Sequence, residues 1–100
     1  MAVRGFFEYR IEDGKREDYI QLIAKLRAKR TQAGLENYSV SESIDQKNLV
    51  VETFLAPSME EYRDVEAKLL KDPETVELLQ TLDTYIVGGL ARKRSGFLPN

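Results

Sequence analysis

Two stretches of the chain alternate apolar and polar side chains with the two-residue period of a β-strand, and a third is almost continuously apolar. Residues 3–11 carry a mainly apolar face and a mixed face, and the mixed face consists of Arg4, Phe6, Glu8 and Arg10. Residues 35–43 alternate Tyr38 and Val40 with asparagine and serine, so an edge strand with one polar face is predicted. Residues 49–55 are β-branched and apolar apart from Glu52 and Thr53, which is typical of a central strand.

Helical spacing follows the first strand. Between residues 15 and 33, apolar residues recur at helical intervals, at Tyr19, Ile20, Leu22, Ile23 and Leu26. Asp13-Gly14 precedes this stretch and predicts a turn, and Gly34 predicts the end of the helix.

The third strand leads directly into helix. Pro57 has no N–H to donate and therefore ends the strand. Ser58 followed by Glu61 forms the pattern of a capping box. It predicts a helix with Tyr62, Val65 and Leu69 on its inner side. Asp72-Pro73 combines an N-cap with a proline at the first helical position and predicts a second, shorter helix.

The last predicted strand spans residues 85–91. It contains Gly88-Gly89, which indicates a bulge or a close backbone approach rather than a phosphate loop. Residues 92–100, beginning with Arg92, Lys93 and Arg94, are predicted to be a basic, loosely held C-terminal tail. The order strand, helix, strand, strand, helix pair, strand predicts an α+β fold: one ferredoxin-like βαββαβ domain over residues 1–91. Its four-stranded antiparallel sheet would have the first and third strands at the centre.

Composition excludes several kinds of chemistry. The chain has no cysteine and no histidine. Disulfides, cysteine or histidine metal sites, Ser-His-Asp catalysis and histidine-ligated haem are therefore excluded. The formal net charge of −2 argues against nucleic acid as the main partner, and no apolar run approaches the ~20 residues of a membrane helix. We expect a cytoplasmic protein without metal, other cofactor, nucleic acid or membrane partner.

One face of the predicted sheet has no helix to cover it. We expect this face to carry Phe6, Glu8 and Arg10 from the first strand, and Val50, Glu52 and Phe54 from the third. A monomer seldom leaves such a mixed aromatic and charged surface exposed. A second copy laid sheet to sheet would bury it, so a homodimer is predicted.

Three segments carry a resemblance to a known superfamily. They are Glu8-Tyr9-Arg10-Ile11, Gly14-Lys15-Arg16-Glu17, and Val51-Glu52-Thr53-Phe54 leading to Pro57-Ser58. Together they resemble the dimeric α+β barrel superfamily, and within it the antibiotic-biosynthesis-monooxygenase-like group. The segment 51–62 is also similar to the C-terminal domain of the bacterial transporters known as transmembrane secretion effectors. The resemblance covers residues 3–91 and implies a sheet-to-sheet dimer with a small-ligand cleft in each subunit.

The chain departs from this superfamily in its composition. Haem-degrading members rely on histidine, and several members that oxidise aromatic compounds rely on tryptophan or histidine near the substrate. Neither residue type is present here. The usual haem-degrading arrangement is therefore not available to this chain.

Glu8 and Glu52 are the candidate catalytic residues. If they lie close together on one face and are shielded from water, one carboxyl group would hold its proton more tightly and act as a general base. The alternative is that Arg4 or Arg10 pairs with them across the dimer, as part of an interface network.

The candidate ligand-binding residues are mostly aromatic. Tyrosines of the strands and helices could line a cleft for a flat aromatic ligand, and the alternative is core packing with hydroxyls that reach the surface. The full set is Phe6, Tyr9, Arg10, Tyr38, Phe54, Tyr62 and Tyr85.

The sequence is consistent with three functions. The first is an antibiotic-biosynthesis-monooxygenase-like protein, which includes a cofactor-independent oxygenase acting on an aromatic or apolar ligand. The second is a binding module that holds a small ligand without chemistry. The third is a purely structural dimer.

Overall fold

The chain folds into a four-stranded antiparallel sheet with three helices on one face. The computed structural model describes all residues 1–100. The strands are β1 (Val3–Arg10), β2 (Glu36–Glu42), β3 (Leu49–Ala56) and β4 (Arg94–Pro99), in the spatial order β2-β3-β1-β4. The helices are α1 (Arg16–Ala33), α2 (Met59–Leu69) and α3 (Pro73–Tyr85), and a short 3-10 helix, Leu90–Arg92, joins α3 to β4. The predicted ferredoxin-like α+β fold with β1 and β3 at the centre is confirmed. No helix combines the length and apolar character needed to cross a lipid bilayer.

Local sequence signals begin and end the helices where they were predicted to. Gly34 follows α1 with φ at 119°, a left-handed conformation that glycine adopts without strain. The Ser58 hydroxyl accepts a 3.1 Å hydrogen bond from the backbone N–H of Glu61 at the start of α2. The Asp72 carboxylate accepts a 3.2 Å bond from the N–H of Thr75 at the start of α3. Each contact satisfies a backbone donor that has no partner within the helix.

The fourth strand lies in the segment that was predicted to be a loose tail. The predicted strand at 85–91 is wrong, because Tyr85 ends α3 and Ile86 makes a single bridge to Ile11. Gly88 and Gly89 then turn the chain with φ of 78° and 76°. The sheet pairs with Arg94–Pro99 instead, so the domain extends beyond residue 91. This strand is short and contains serine, glycine and proline, which weakens its signal in the sequence.

The face assignment of β3 is also corrected. Val50, Glu52 and Phe54 point towards the helices and are buried, whereas Val51 and Leu55 lie on the uncovered face. Both faces of β3 are rich in apolar residues, so the sequence pattern does not decide which face is buried. The prediction placed the charged Glu52 on the uncovered face. An arginine from α1 reverses this expectation by pairing with Glu52 inside the fold.

The core between sheet and helices contains a cross-strand contact between Gly5 and Phe54. They are directly opposite in the β1–β3 pairing, and a Cβ atom on Gly5 would lie 2.3 Å from Cζ of Phe54. Phe54 in turn stacks on Tyr62 of α2, with ring centres 5.4 Å apart. The missing side chain of Gly5 therefore lets this ring lie flat across the central strands.

Candidate functional site

A buried polar network joins the sheet to α1. Its carboxylate is that of Glu52, which is 1% exposed, and its cation is that of Arg30, which is 8% exposed. Nη1 of Arg30 donates to Oε1 of Glu52 and, at 2.8 Å, to the hydroxyl of Tyr38. The hydroxyl of Tyr38 donates to the same Oε1. Two adjacent strands and one helix thus meet at a single carboxylate.

The other oxygen of Glu52 is held by two tyrosines in series. The hydroxyl of Tyr9 donates to Oε2 of Glu52 over 2.6 Å, and the hydroxyls of Tyr9 and Tyr19 are 2.6 Å apart. A phenol has one proton to give, so Tyr19 is the donor to Tyr9. Burial, and then the charge of Glu52, raise the pKa of both hydroxyls above the ordinary value of 10.0. Both tyrosines therefore remain neutral donors.

This network decides what Glu52 can do. Three side chains donate to its carboxylate, and water has almost no access to it. A general base needs a free lone pair directed at the substrate proton. The geometry instead suits a positioning role, in which Glu52 fixes Arg30 and the two strands.

A cavity of about 70 Å³ lies beside this network, between β1 and the helices α2 and α3. Most of its wall is apolar, and its charged members are Arg30, Glu66 and Lys93. A cavity of roughly 150 Å³ holds one benzene ring, and one water occupies about 30 Å³. The space therefore suits two waters or a small organic group, and an aromatic ring would enter only if the mouth widened.

Lys93 is the unexpected member of this cavity. Its Nζ lies 4.1 Å from the centre of the Phe7 ring, and Cζ of Arg30 lies 5.3 Å from the same ring centre. Cations are attracted to aromatic faces, and the attraction increases when water is excluded. Burial, followed by the charge of Arg30, lowers the pKa of Lys93 below its ordinary value of 10.5. This amine can lose its proton more easily than a surface lysine.

The uncovered face carries three of the predicted site residues: Phe6, Glu8 and Arg10. Glu8 lies opposite Val51 of β3 and Arg94 of β4, and its carboxylate is 3.8 Å from Nη1 of Arg94. Glu8 and Glu52 therefore lie on opposite faces of the sheet, and the predicted carboxylate pair is wrong. Arg10 bonds to the β2–β3 turn at Gln46 and Lys47 and makes no ion pair with either glutamate.

The predicted aromatic residues divide between network, core and a surface groove. Tyr9 and Tyr38 belong to the Glu52 network, and Phe54 is fully buried in the core. Tyr62 is buried and lines the cavity. Tyr85 lies apart from them at the end of α3, in a groove against α1, where Nζ of Lys15 is 5.5 Å from its ring centre.

Arg30 and Lys93 were missed as site residues, although each has a signal in the sequence. Arg30 continues the buried stripe of α1, which runs through Tyr19, Leu22, Ile23 and Leu26 at helical spacing. Lys93 shares the alternation of Ser95 and Phe97, and Phe97 packs against Tyr62 with ring centres 4.7 Å apart. Arg30 is thus identified by an apolar stripe, whereas Lys93 is identified only by its phase with Phe97.

Comparison with known proteins establishes the fold class. The sequence matches no protein-family model and no curated protein. Its structure matches SnoaB, a cofactor-independent oxygenase from Streptomyces nogalater, with a TM-score of 0.78 at 13% identity, over 99% of this chain and 92% of that chain. It also matches a NIPSNAP family protein from Agrobacterium tumefaciens, with a TM-score of 0.79 at 20% identity over 99% and 92% of the two chains. A conserved protein from Methanosarcina mazei matches with a TM-score of 0.80 at 10% identity, over 100% of this chain and 93% of that one.

These likenesses confirm the ferredoxin-like α+β fold that the sequence resemblance implied. At such identities they establish the fold alone.

Proposed function

We propose that this protein is a cytoplasmic homodimer of the monooxygenase-like kind that binds a small molecule in the cavity between Phe7 and the helices α2 and α3. The observation that carries the proposal is Lys93, a half-buried cation that lines an otherwise largely apolar cavity. Ligand sites in proteins combine apolar walls with a few polar groups that fix orientation. A purely structural core has no need for an unpaired amine at this position.

The uncovered face of the sheet supports the homodimer. Its rows place Leu55, Arg4 and Leu98 side by side, and then Thr53, Phe6 and Gly96. Leu98 is 55% exposed, and Phe6 lies flat over Gly96, where a Cβ atom would be 2.6 Å from the Phe6 ring. This surface is apolar around the central Arg4, and Glu8 and Arg94 lie at one end of it. A second copy related by a twofold axis would match such a surface with itself.

Native mass spectrometry and NMR test the two parts of the proposal. We expect a dimer, and we expect Leu98→Arg to convert it to a folded monomer, because a second arginine would then lie directly beside Arg4 in the buried surface. Ile44→Arg is the matched control, since Ile44 is fully exposed on the β2–β3 turn. For the cavity, phenol, butyramide and butyrate are added separately, and amide shifts are followed at Thr75, Leu79 and Lys93. A monomeric wild type would overturn the dimer, and no shift with any of the three probes would overturn the ligand site.

A second candidate function is cofactor-independent oxygenation. It is favoured by the fold shared with SnoaB and by the lowered pKa of Lys93. The amine would take a proton from an activated methylene group, and the carbanion would add to O2 to form a peroxide anion. Return of the proton gives a hydroperoxide, which loses water to leave a ketone, so one oxygen atom enters the product and the other leaves as water. Neither Glu8 nor Glu52 is placed to act as this base.

Oxygen uptake with a panel of phenols, quinols and activated methylene compounds tests this chemistry. Label from 18O2 is then sought in the product by mass spectrometry. Uptake that is lost in Lys93→Met and retained in Lys68→Met would support it. No uptake across the panel would exclude oxygenation of these substrate classes and leave the binding function standing.

A further inference from the structure

The ammonium group of Lys93 has no acidic partner. It makes no ion pair and no hydrogen bond to another side chain, and its Nζ lies over the ring of Phe7. Glu66 of α2 is the carboxylate that lines the same cavity, and it is exposed at the mouth. A cation inside an apolar wall is stabilised by an anion that shares the site.

Arg30 has donors that the buried network leaves free. Nη1 makes the bonds to Glu52 and Tyr38, whereas Nε and Nη2 make no hydrogen bond within the protein. No buried side-chain nitrogen lacks a partner, so these two donors border accessible space, and Arg30 lines the cavity. Two sets of N–H donors, from Arg30 and Lys93, therefore approach the cavity beside the same aromatic ring.

Two cations, Arg30 and Lys93, and one carboxylate, Glu66, line this cavity. Arg30 is paired with the buried Glu52, whereas Lys93 makes no ion pair and the carboxylate of Glu66 is exposed to solvent. At about 70 Å³ the cavity has room for a carboxylate group and the first atoms of an alkyl chain, so the rest of a short tail would extend along the wall towards solvent. The remaining wall is apolar apart from Thr75 and Glu66, and it includes Leu69, Leu70 and Leu79.

We propose that the ligand of this site is a short-chain carboxylate, with its oxygens between Lys93 and the free donors of Arg30 and its alkyl tail against Leu69, Leu70 and Leu79. This inference rests on the proposed small-molecule site and names the chemical class that the site selects. Charge-assisted hydrogen bonds supply the selectivity, and burial of the tail makes affinity increase with chain length.

The experiment compares butyrate with butyramide, which has nearly the same shape and no charge. NMR titrations of the full-length protein follow the amides of Thr75, Leu79 and Lys93. We expect butyrate to bind about tenfold more tightly than butyramide, equivalent to about 1.4 kcal/mol, and more tightly than acetate. Lys93→Met is expected to remove the preference. Lys68→Met, an exposed lysine on α2 outside the cavity, serves as the matched control and should retain it.

Glu66→Gln provides a second variant that leaves the inner wall unchanged. It removes a negative charge at the mouth, so butyrate affinity should stay the same or increase. Arg30 is not substituted, because Glu52 would then be buried without its cation.

The outcomes separate the two proposals. Equal affinity for butyrate and butyramide would overturn the carboxylate inference and leave the small-molecule site intact. A preference for butyrate that survives in Lys93→Met would also overturn the inference, because the selecting group would then lie elsewhere. No shift with either compound, or with phenol, would overturn both the inference and the proposed site.

Discussion

Oε2 of Glu52 accepts a 2.6 Å hydrogen bond from the hydroxyl of Tyr9, although Tyr9 lies opposite Val50 in the strand pairing. The bond therefore runs diagonally between β1 and β3, on the face that the helices cover. Together with Arg30 it fixes the orientation of a carboxylate in the interior. This places Glu52 behind the cavity, where it holds the guanidinium group that borders the ligand space.

Glu52→Gln should destabilise the fold strongly. The substitution leaves Arg30 as a buried cation without an anion, a change that typically costs about 3–5 kcal/mol. Urea unfolding followed by circular dichroism measures it. Glu42→Gln is the control, because the Arg16–Glu42 pair is exposed and screened by solvent, so its loss should have a much smaller effect. Equal effects of the two substitutions would show that the buried pair does not stabilise the fold.

Gly5→Ala should also destabilise the fold, by about 1–3 kcal/mol, because the new methyl group overlaps the Phe54 ring. A double-mutant cycle with Phe54→Leu tests the cause. In the Phe54→Leu variant, Gly5→Ala should lower the free energy of unfolding much less than it does in the wild type. The effects of the two substitutions on urea unfolding should therefore be clearly non-additive. Strict additivity would place the effect in the backbone of Gly5 instead.

Alkaline pH should unfold the protein through its buried tyrosines. Burial raises the pKa of Tyr9, Tyr19 and Tyr62 above the unfolded value of 10.0. The folded state then binds more protons than the unfolded state above that pH, so this contribution to stability is complete below pH 10 and is lost as pH rises.

Absorbance at 295 nm measures this titration. At pH values just above 10, the native protein should show less tyrosinate than the same protein in urea. Identical titration curves in the two states would contradict the burial of these hydroxyls.

Low pH should weaken the hydrogen bond by which the Asp72 carboxylate caps the start of α3. The Thr75 side chain, followed by Lys29, lowers the pKa of Asp72 in the folded state below its ordinary value of 3.8. The stabilisation from this carboxylate is therefore present above pH 3.8 and is lost as pH falls further. Asp72→Asn should lower the Tm at pH 7, and the difference from wild type should shrink between pH 4 and pH 2. A constant difference across this range would mean that the charge of Asp72 does not contribute.

The site was harder to predict than the fold for reasons seen in Glu52 and Lys93. The sequence identified Glu52 as a candidate, but alternation placed it on the wrong face, because its ion-pair partner lies 22 positions earlier in the chain. Lys93 was assigned to a loose tail, because a short strand with serine, glycine and proline has little local signal. Both errors concern partners that only folding brings together.

The sequence by itself determined the elements whose causes are local. Apolar periodicity set α1, β1 and β3, and Gly34, Ser58 and Asp72 set the helix boundaries, since each acts through neighbours within a turn of the chain. Tertiary structure alone decided which face of β3 is buried, which segment supplies β4, and that Arg30 and Lys93 meet at Phe7. These outcomes depend on desolvation and pairing between distant residues, and a buried charge is tolerated only where its partner is already in place.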